Sequence, residues 1–247
     1  MITKNELNKY CSVIGFNLAQ VEKDYLQHLF LIFLSQYFSN ELIFKGGTAM
    51  QKIYGLNRFS IDLDFTQTKD FDISLISKIA NSLTDFGYET KFEEVKNLGK
   101  NFIFKIKGPL YVNSLVSLCT LRLDISLRES ILLDPKLIEI FPVYSDLRPY
   151  NILVMDEREI MAEKVRTIMN RSKPRDIFDF YFLLRKGVKF DISLINKKLK
   201  YYNQKYDSKS FLLKIKDMEN LWSNELKDYV SIVPNFAVIF KEIKNII

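Results

Sequence analysis

The stretch KGGTAMQKIYGLNRFSIDLDF, residues 45–65, carries a diglycine, a short helical segment and an alternating strand in close succession. The residues LIF before it are typical of a strand, so Gly46 and Gly47 are expected between a strand and a helix. Glycines let backbone N–H groups approach a ligand, and the N-terminus of a helix is a natural phosphate site. The hydroxyl of Thr48 would add a donor. The alternative is a tight turn in which Thr48 caps the helix.

Two alternating segments are expected to bring acidic side chains together. In residues 60–66 the apolar side chains point to one face and Asp62 and Asp64 to the other, because successive side chains of a strand alternate. Residues 121–127 show the same split, with Asp124 on the polar face. If the two strands are neighbours, three carboxylates share one face and repel each other unless a cation neutralises them.

The chemistry of this acidic face indicates a divalent cation. Oxygen ligands without a nearby His or Cys suit Mg²⁺ or Mn²⁺ better than zinc. Two such ions can clamp the attacking and leaving oxygens of a phosphoryl transfer. The alternative is an ordinary solvated strand, since a motif as short as D-x-D is often fortuitous. Asp62 follows Thr48 by fourteen residues, and this joint arrangement favours phosphate chemistry.

Two stretches of the sequence resemble the motifs of a known protein family. Residues 45–65 resemble the signature of the AbiEii/AbiGii toxin nucleotidyltransferases, within the DNA polymerase β-like nucleotidyltransferase superfamily. The segment EREIMAEKVRTIMNRSKPRDIFDFYFLL, residues 157–184, is similar to the family's motif with a lysine on one helix and an Arg-Asp pair opening the next. The resemblance covers roughly residues 42–185. Family members often have an acidic or polar residue where this chain has Ile61, which is expected on the apolar side without loss of chemistry.

The resemblance implies a fold and an activity. The fold would be α+β, a nucleotidyltransferase-like mixed β-sheet core with flanking helices, followed by a helical C-terminal region. The activity would be Mg²⁺-dependent transfer of a nucleoside monophosphate from an NTP to an acceptor hydroxyl. Some family members modify the 3′ end of tRNA and are paired with an antitoxin in type IV toxin–antitoxin operons. An NTP, an RNA acceptor such as tRNA and a cognate antitoxin are therefore the expected partners.

The resemblance also implies roles for individual residues. The metal ligands would be Asp62, Asp64 and, as the third acid that helps to activate the acceptor hydroxyl, Asp124. The residues that contact the nucleotide would be Gly46, Gly47, Thr48, Lys164, Arg175 and Asp176. Lys164 would neutralise triphosphate oxygens, and Arg175 and Asp176 would position nucleotide or acceptor. Asp134 is a less favoured alternative to Asp124.

Composition excludes several other classes of protein. The chain has 247 residues and a net charge of +6, which permits a polyanionic partner without requiring one. A single histidine, His28, leaves little for zinc sites or Ser-His and Cys-His catalysis, and it is expected to be packed. Two unpatterned cysteines, no signal peptide and no apolar run long enough to cross a bilayer favour a soluble, cytoplasmic protein.

The pattern along the chain predicts two domains. Residues 1–150 are interpreted as the nucleotidyltransferase core, with helix over the first forty residues and again over 72–86. Residues 141–150 contain two prolines and mark the boundary. Residues 151–247 are expected to form a helical C-terminal domain.

Several interpretations stay open at the level of sequence. Lys164 reaches into a cleft or lies in solvent. Arg171 and Arg175 bind phosphate or, in the alternative, Asp176 and Asp179 form an acidic pair that favours the helix dipole, with Asp179 pairing with Arg175. Of the two aspartates, Asp179 is interpreted as the structural one. Residues 186–216, the lysine-rich segment, carry nine lysines and two aspartates, a net +7, with interleaved aromatic residues. They form either an RNA-binding surface or a solvated helical face over core aromatics.

Two functions other than tRNA modification are also compatible with the sequence. One is a non-catalytic nucleotide-binding module that binds a partner protein. The other is nucleotidyl transfer to a protein or to a small-molecule acceptor.

Overall fold

The computed structural model describes residues 1–97 and 99–247, and in this part the chain forms seven strands and ten α-helices. The strands are β1 (Leu42–Lys45), β2 (Leu63–Gln67), β3 (Thr90–Asn97), β4 (Gly99–Ile106), β5 (Cys119–Ser126), β6 (Lys136–Ile140) and β7 (Tyr150–Val154). The first five helices are α1 (Lys4–Ile14), α2 (Leu18–Tyr37), α3 (Gly46–Tyr54), α4 (Ser74–Asp85) and α5 (Glu157–Asn170). The others are α6 (Pro174–Arg185), α7 (Ile192–Lys200), α8 (Ser208–Lys216), α9 (Glu219–Leu226) and α10 (Phe236–Ile246).

All seven strands belong to one mixed sheet, in the order β3-β4-β5-β2-β1-β7-β6. Strands β2 and β5 run parallel, as do β1 and β7, and the other neighbours are antiparallel. Strand β1 is buried at all four positions, as expected for a strand inside the sheet. The predicted α+β fold, with a mixed sheet followed by helices, is confirmed.

Three strands were not predicted from the sequence. Strand β3 has mostly exposed side chains and lies at one edge of the sheet, and β6 lies at the other edge. Edge strands carry polar side chains, so the alternation that reveals half-buried strands is weak in them. Strand β7 follows directly on Pro149, in the stretch that was interpreted as a boundary.

The first forty residues form two helices where the sequence predicted continuous helix. Helix α1 ends at Gly15, whose left-handed conformation (φ 79°) closes the last turn. Helix α2 then begins with a capping box, in which Asn17 accepts from the backbone of Gln20 and the Gln20 side chain accepts from Asn17 N–H. A stop signal at Gly15 and a start signal at Asn17 therefore divide the segment.

The contacts divide the chain into two compact units. The first unit consists of residues 1–53, 59–130 and 135–154, and contains the sheet with α1, α2, α4 and most of α3. In it, α2 packs against β5 and β7, and α4 packs against α2 and β3. The second unit consists of residues 54–58, 131–134 and 155–247, and in it α5 contacts α6, α7 and α8.

Within the described residues, every helix falls short of the length and apolar character that crossing a membrane requires.

Candidate active site

The acidic face lies on two neighbouring strands of the first unit. Strands β2 and β5 are parallel, and their register pairs Asp64 with Asp124. The same row continues on both sides, since Lys45 of β1 pairs with Asp64 and Asn101 of β4 pairs with Asp124. Residues paired in register project to the same face of a sheet. Four adjacent strands thus present Lys45, Asp64, Asp124 and Asn101 side by side.

Asp62 lies just outside the strand that was predicted for it. The sequence predicted a strand over residues 60–66, but β2 begins at Leu63, so residues 60–62 form a loop that leads into it. The carboxylate of Asp62 nevertheless interacts with that of Asp124. Burial, reinforced by the negative charge of Asp62, raises the pKa of Asp124, and Arg122 only partly offsets the rise. The two carboxylates therefore repel each other in the folded protein.

Gly46 makes close contact with the acidic face. Its φ angle is 76°, in the left-handed region that favours glycine. A Cβ atom built on Gly46 would collide with the Oδ2 atom of Asp64 and lie 2.8 Å from the Asp64 Cβ. A side chain at this position would therefore have to displace the Asp64 carboxylate. The diglycine and the D-x-D motif, separate in the sequence, form one structural feature.

Thr48 lies within helix α3, which begins at Gly46. The sequence alternative in which Thr48 caps the helix is therefore wrong. The hydroxyl of Thr48 donates to the main-chain oxygen of Asp62 at 2.5 Å, and Thr48 is fully buried. Thr48 thus fixes the loop that carries Asp62. Any contact from Thr48 to a ligand is predicted to come from its backbone N–H, one of the four that the first turn of a helix leaves unpaired.

The described residues form no preformed metal site at the acidic face. In the part of the chain that the structure describes, no group of three or more His, Cys, Asp or Glu side chains is placed to hold a metal ion. The donors present are carboxylates, the ligand type that Mg²⁺ and Mn²⁺ prefer. Mg²⁺ is usually held by one or two carboxylates together with substrate phosphates and water. An acidic face of this kind therefore fits an ion that arrives with a triphosphate.

The second unit contains a buried ion cluster that includes Lys164. The Lys164 ammonium lies 2.9 Å from Asp176 Oδ1 and 2.6 Å from Asp179 Oδ2. Burial alone would lower the pKa of Lys164, but Asp179 and Asp176 outweigh it and raise that pKa. The lysine is therefore charged and held between two carboxylates. The sequence interpretation in which Lys164 lies in solvent is wrong, because the residue is buried.

The two aspartates of this cluster have further partners. Arg58 binds Asp179 through Nε at 2.6 Å and Nη2 at 2.7 Å, and Arg171 binds Asp176 in the same two-pronged manner at 2.7 and 3.0 Å. Asp179 therefore pairs with Arg58 and Lys164, and the expected pair with Arg175 is wrong. Arg175 donates to the hydroxyl of Tyr229 at 3.2 Å and lies over its ring.

The exposure of His28 and Asp134 shows how two further predicted residues are placed. His28 is buried and its Nδ1 lies 3.0 Å from the Tyr150 hydroxyl, and burial lowers the pKa of His28 to about 3. It is packed, as expected. Asp134, the alternative third acid, is exposed on the segment 131–134 of the second unit.

The residues of the lysine-rich segment are divided between the core of the protein and its surface. Phe211 is buried and packs against Phe180, and Tyr206 packs against Phe190 and Phe211. Tyr201 and Tyr202 are exposed. Eight of the nine lysines are exposed, and Lys198 alone is buried.

Two residues near these clusters were missed by sequence reasoning. Lys45 is buried in register with Asp64, and its position directly before the diglycine was the available signal. Arg58 lies 121 residues before its partner Asp179, so no local pattern could pair them.

The comparisons with known proteins agree with this arrangement. The family model described as nucleotidyl transferase AbiEii toxin, type IV TA system, matches residues 29–242. The chain belongs to the AbiEii family of nucleotidyltransferase toxins. The resemblance inferred from the diglycine and D-x-D motifs is thus confirmed, and it extends beyond the 42–185 stretch that suggested it. No curated protein matches the sequence.

Solved structures show that the AbiEii-family chain has a nucleotidyltransferase fold. The nucleotidyltransferase toxin MenT4 of Mycobacterium tuberculosis H37Rv superposes with a TM-score of 0.73 at 17% sequence identity, over 99% of this chain and 88% of that one. The protein JHP933 of Helicobacter pylori superposes with a TM-score of 0.60 at 18% identity, over 92% of this chain and 94% of that one. At such low identity the superpositions establish the fold alone.

Proposed function

We propose that the chain is a Mg²⁺-dependent toxin that transfers a nucleoside monophosphate from an NTP to the 3′-terminal hydroxyl of a tRNA. One observation carries the proposal. Asp64 and Asp124 are paired in register on parallel strands, and Gly46 packs against the Asp64 carboxylate. This brings the carboxylates next to the N-terminus of α3, which is suited to binding a triphosphate.

The metal would be held by the acidic face. Asp62, Asp64 and Asp124 would supply carboxylate oxygens. Burial and the negative charge of Asp62 together raise the pKa of Asp124, and a bound cation would offset that charge. When bound, two Mg²⁺ ions would supply positive charge to offset the oxygens of the reacting phosphate.

The protein's own residues would orient the reactants and accept the proton. The backbone N–H groups of Gly46, Gly47 and Thr48 would bind triphosphate oxygens at the start of α3. Asp124 would help to activate the acceptor hydroxyl and would accept its proton, the role that the family resemblance implies for the third acid. The acceptor oxygen would form a bond to the α-phosphorus, and the bond from that phosphorus to the β-phosphate oxygen would break, releasing pyrophosphate.

The nucleotide roles of Lys164, Arg175 and Asp176 stay predictions that come from the family resemblance. Within the second unit, the contacts of Lys164 and Asp176 support a framework role, since both are buried in one ion cluster with Arg171 and Asp179. We propose that this cluster sets the packing of α5 against α6.

The acceptor and the partner follow from charge and from the family. The exposed lysines of the lysine-rich segment support a polyanionic acceptor such as tRNA. A type IV toxin would be paired with a cognate antitoxin, and NTP and tRNA would be met in the cytoplasm.

The direct test is incubation with tRNA, Mg²⁺ and each of the four labelled NTPs. We expect one or more labels in the tRNA, loss of transfer by at least about a hundredfold in Asp64→Asn, and no loss in Asp70→Asn, an exposed acid of the same unit. Nucleotide that binds without being consumed would favour the non-catalytic module. Label found on a protein or small molecule, and not on tRNA, would favour the other acceptors.

A further inference from the structure

The loop at residues 60–62, which carries Asp62 into strand β2, is held by side chains of two helices. The backbone N–H of Ser60 donates to Gln51 Oε1 at 2.8 Å. The oxygens of Ser60 and Ile61 accept from Gln27 Nε2 at 3.0 and 2.9 Å. Together with the bond from Thr48, side chains of α2 and α3 bind four main-chain groups of the loop, namely one N–H and three successive carbonyl oxygens.

Gln27 is the centre of this arrangement. It lies on α2 and is fully buried. Main-chain oxygens only accept hydrogen bonds, so the amide nitrogen of Gln27 must be the atom that faces them. Its Oε1 atom is then buried and, among the described residues, accepts no hydrogen bond. A buried acceptor without a partner lowers stability, yet this orientation keeps two donors on the loop.

Gln51 links the loop to a second buried group. Its Nε2 donates to Asp24 Oδ1 at 3.0 Å, and Asp24 also binds Lys52 at 2.8 Å. The Asp24 carboxylate further accepts from the Tyr144 hydroxyl at 2.9 Å. The Gln51 side chain is therefore fixed at both ends of its amide, and it presents Oε1 to Ser60 in one orientation.

We infer that Gln27 and Gln51 are positioning residues for the proposed reaction, holding the loop at 60–62 so that the Asp62 carboxylate stays beside Asp124. The inference rests on the proposed function for its consequence, but the anchoring itself is a property of the folded chain. Residues that orient metal ligands through hydrogen bonds change metal affinity or activity by about 10- to 100-fold when they are replaced.

The test compares two identical substitutions on one helix. Gln27→Met removes both donors to the loop and keeps the side-chain length. Gln20→Met, on the same helix two turns away, removes one hydrogen bond of the capping box and leaves the loop contacts in place. Gln51→Met is a second loop variant, at a less buried position, in case Gln27→Met does not fold.

Two measurements are made on each variant. The first is native-state hydrogen exchange of Ser60 N–H relative to the strand amide of Leu123. The second is the affinity for Mn²⁺ with a non-hydrolysable NTP analogue, together with kcat and KM. For Gln27→Met and Gln51→Met we expect exchange at Ser60 to accelerate at least about tenfold, and affinity or kcat to fall about 10- to 100-fold. Gln20→Met should match the wild type in both.

The outcomes separate this inference from the proposed function. Wild-type transfer combined with loop variants that behave like Gln20→Met would overturn the positioning role alone. A wild-type protein that neither binds nor transfers nucleotide would overturn the proposed function, and exchange at Ser60 would then decide the anchoring without reference to activity. Uniform acceleration at Ser60 and Leu123 would mean global destabilisation and would also count against the inference.

Discussion

Asp124 occupies a position that favours the proposed chemistry at the expense of folding stability. Its strand neighbour in register is Asp64, and the charge of Asp62 adds to burial in raising its pKa. An acid whose pKa in the folded protein lies above its ordinary value of 3.8 binds more protons when folded than when unfolded, in the window between the two values. The free energy of unfolding therefore falls as the pH rises through that window. The penalty is complete once the pH lies above both values.

Replacement of Asp124 should consequently separate stability from activity. We expect Asp124→Asn to abolish transfer while raising the free energy of unfolding at pH 7 by on the order of 0.5–1 kcal/mol, a modest gain because the carboxylate is partly solvated. Urea unfolding at pH 7 and at about pH 4 measures the effect, and the gain should shrink at the lower pH.

The control for this substitution is Asp134→Asn. Asp134 is exposed, so its loss should change stability by less than about 0.5 kcal/mol and leave transfer intact. A less stable Asp124→Asn protein at pH 7 would show that the repulsion on the acidic face is not felt. If Asp134→Asn lost nucleotidyl transfer, the third acid would be Asp134 and not Asp124.

For single residues, the sequence identified the members of the acidic face but not the glutamines that hold the loop at 60–62. The residues Asp62, Asp64, Asp124 and Gly46 stand out because a motif and an alternation mark them. Gln27 and Gln51 do not, because a buried glutamine that binds main-chain atoms has no local sequence pattern. The loop partners of Gln27 lie 33 and 34 residues away and that of Gln51 lies 9 residues away, and only the packing of helices on the loop brings them together.

Helices α5 and α7 of the second unit are joined by a single buried cation. Lys198 of α7 lies 2.7 Å from Glu159 and 3.0 Å from Glu163, and all three residues are buried. Glu159 also accepts from the backbone N–H groups of Leu132 and Leu133. One lysine thus contacts two carboxylates, and one of them, Glu159, holds the segment 131–134 against α5.

Removal of this cation should be strongly destabilising. We expect Lys198→Met to lower the free energy of unfolding by about 3–5 kcal/mol, because it removes the buried cation that contacts both carboxylates. Lys197→Met is the matched control, since the neighbouring lysine is exposed and should change stability by less than about 0.5 kcal/mol. Urea denaturation followed by the fluorescence of Trp222, which lies in the same unit, gives both values. Equal effects would contradict the assigned ion cluster.

The sequence predicted elements where one face is apolar and failed where burial depends on distant partners. Alternation located β4 and β5, and helical periodicity located α4, because each buries one side against the core. The parallel pairings of β2 with β5 and of β1 with β7 join strands far apart in the chain. Lys198 was counted as one of a lysine-rich run, and only the positions of Glu159 and Glu163 reveal its burial.

For the molecule as a whole, the net charge of +6 is unevenly placed. The lysine-rich segment alone carries a net +7, and its exposed lysines lie on α7, on α8 and in the connections around them. A polyanion is attracted by total charge at long range but is held by lysines that contact its phosphates. Long-range attraction depends on the total charge, whereas local binding depends on which lysines carry it. Removing the same number of lysines from different places therefore distinguishes the two.

A pair of quadruple variants separates local charge from total charge. The first replaces Lys200, Lys205, Lys209 and Lys216 by Gln, and the second replaces Lys4, Lys9, Lys78 and Lys91, which are exposed lysines of the first unit. Each set removes four charges, so the net charge falls from +6 to +2 in both. If the lysine-rich segment binds the acceptor, the first set should raise the KM for tRNA at least about tenfold and lower its dependence on the logarithm of salt concentration by up to about 3.

The KM for NTP should be unchanged in both sets, because neither includes a residue of the acidic face or of the diglycine. Equal increases for the two sets would mean that only the total charge matters, and no increase in either would place the acceptor away from these helices.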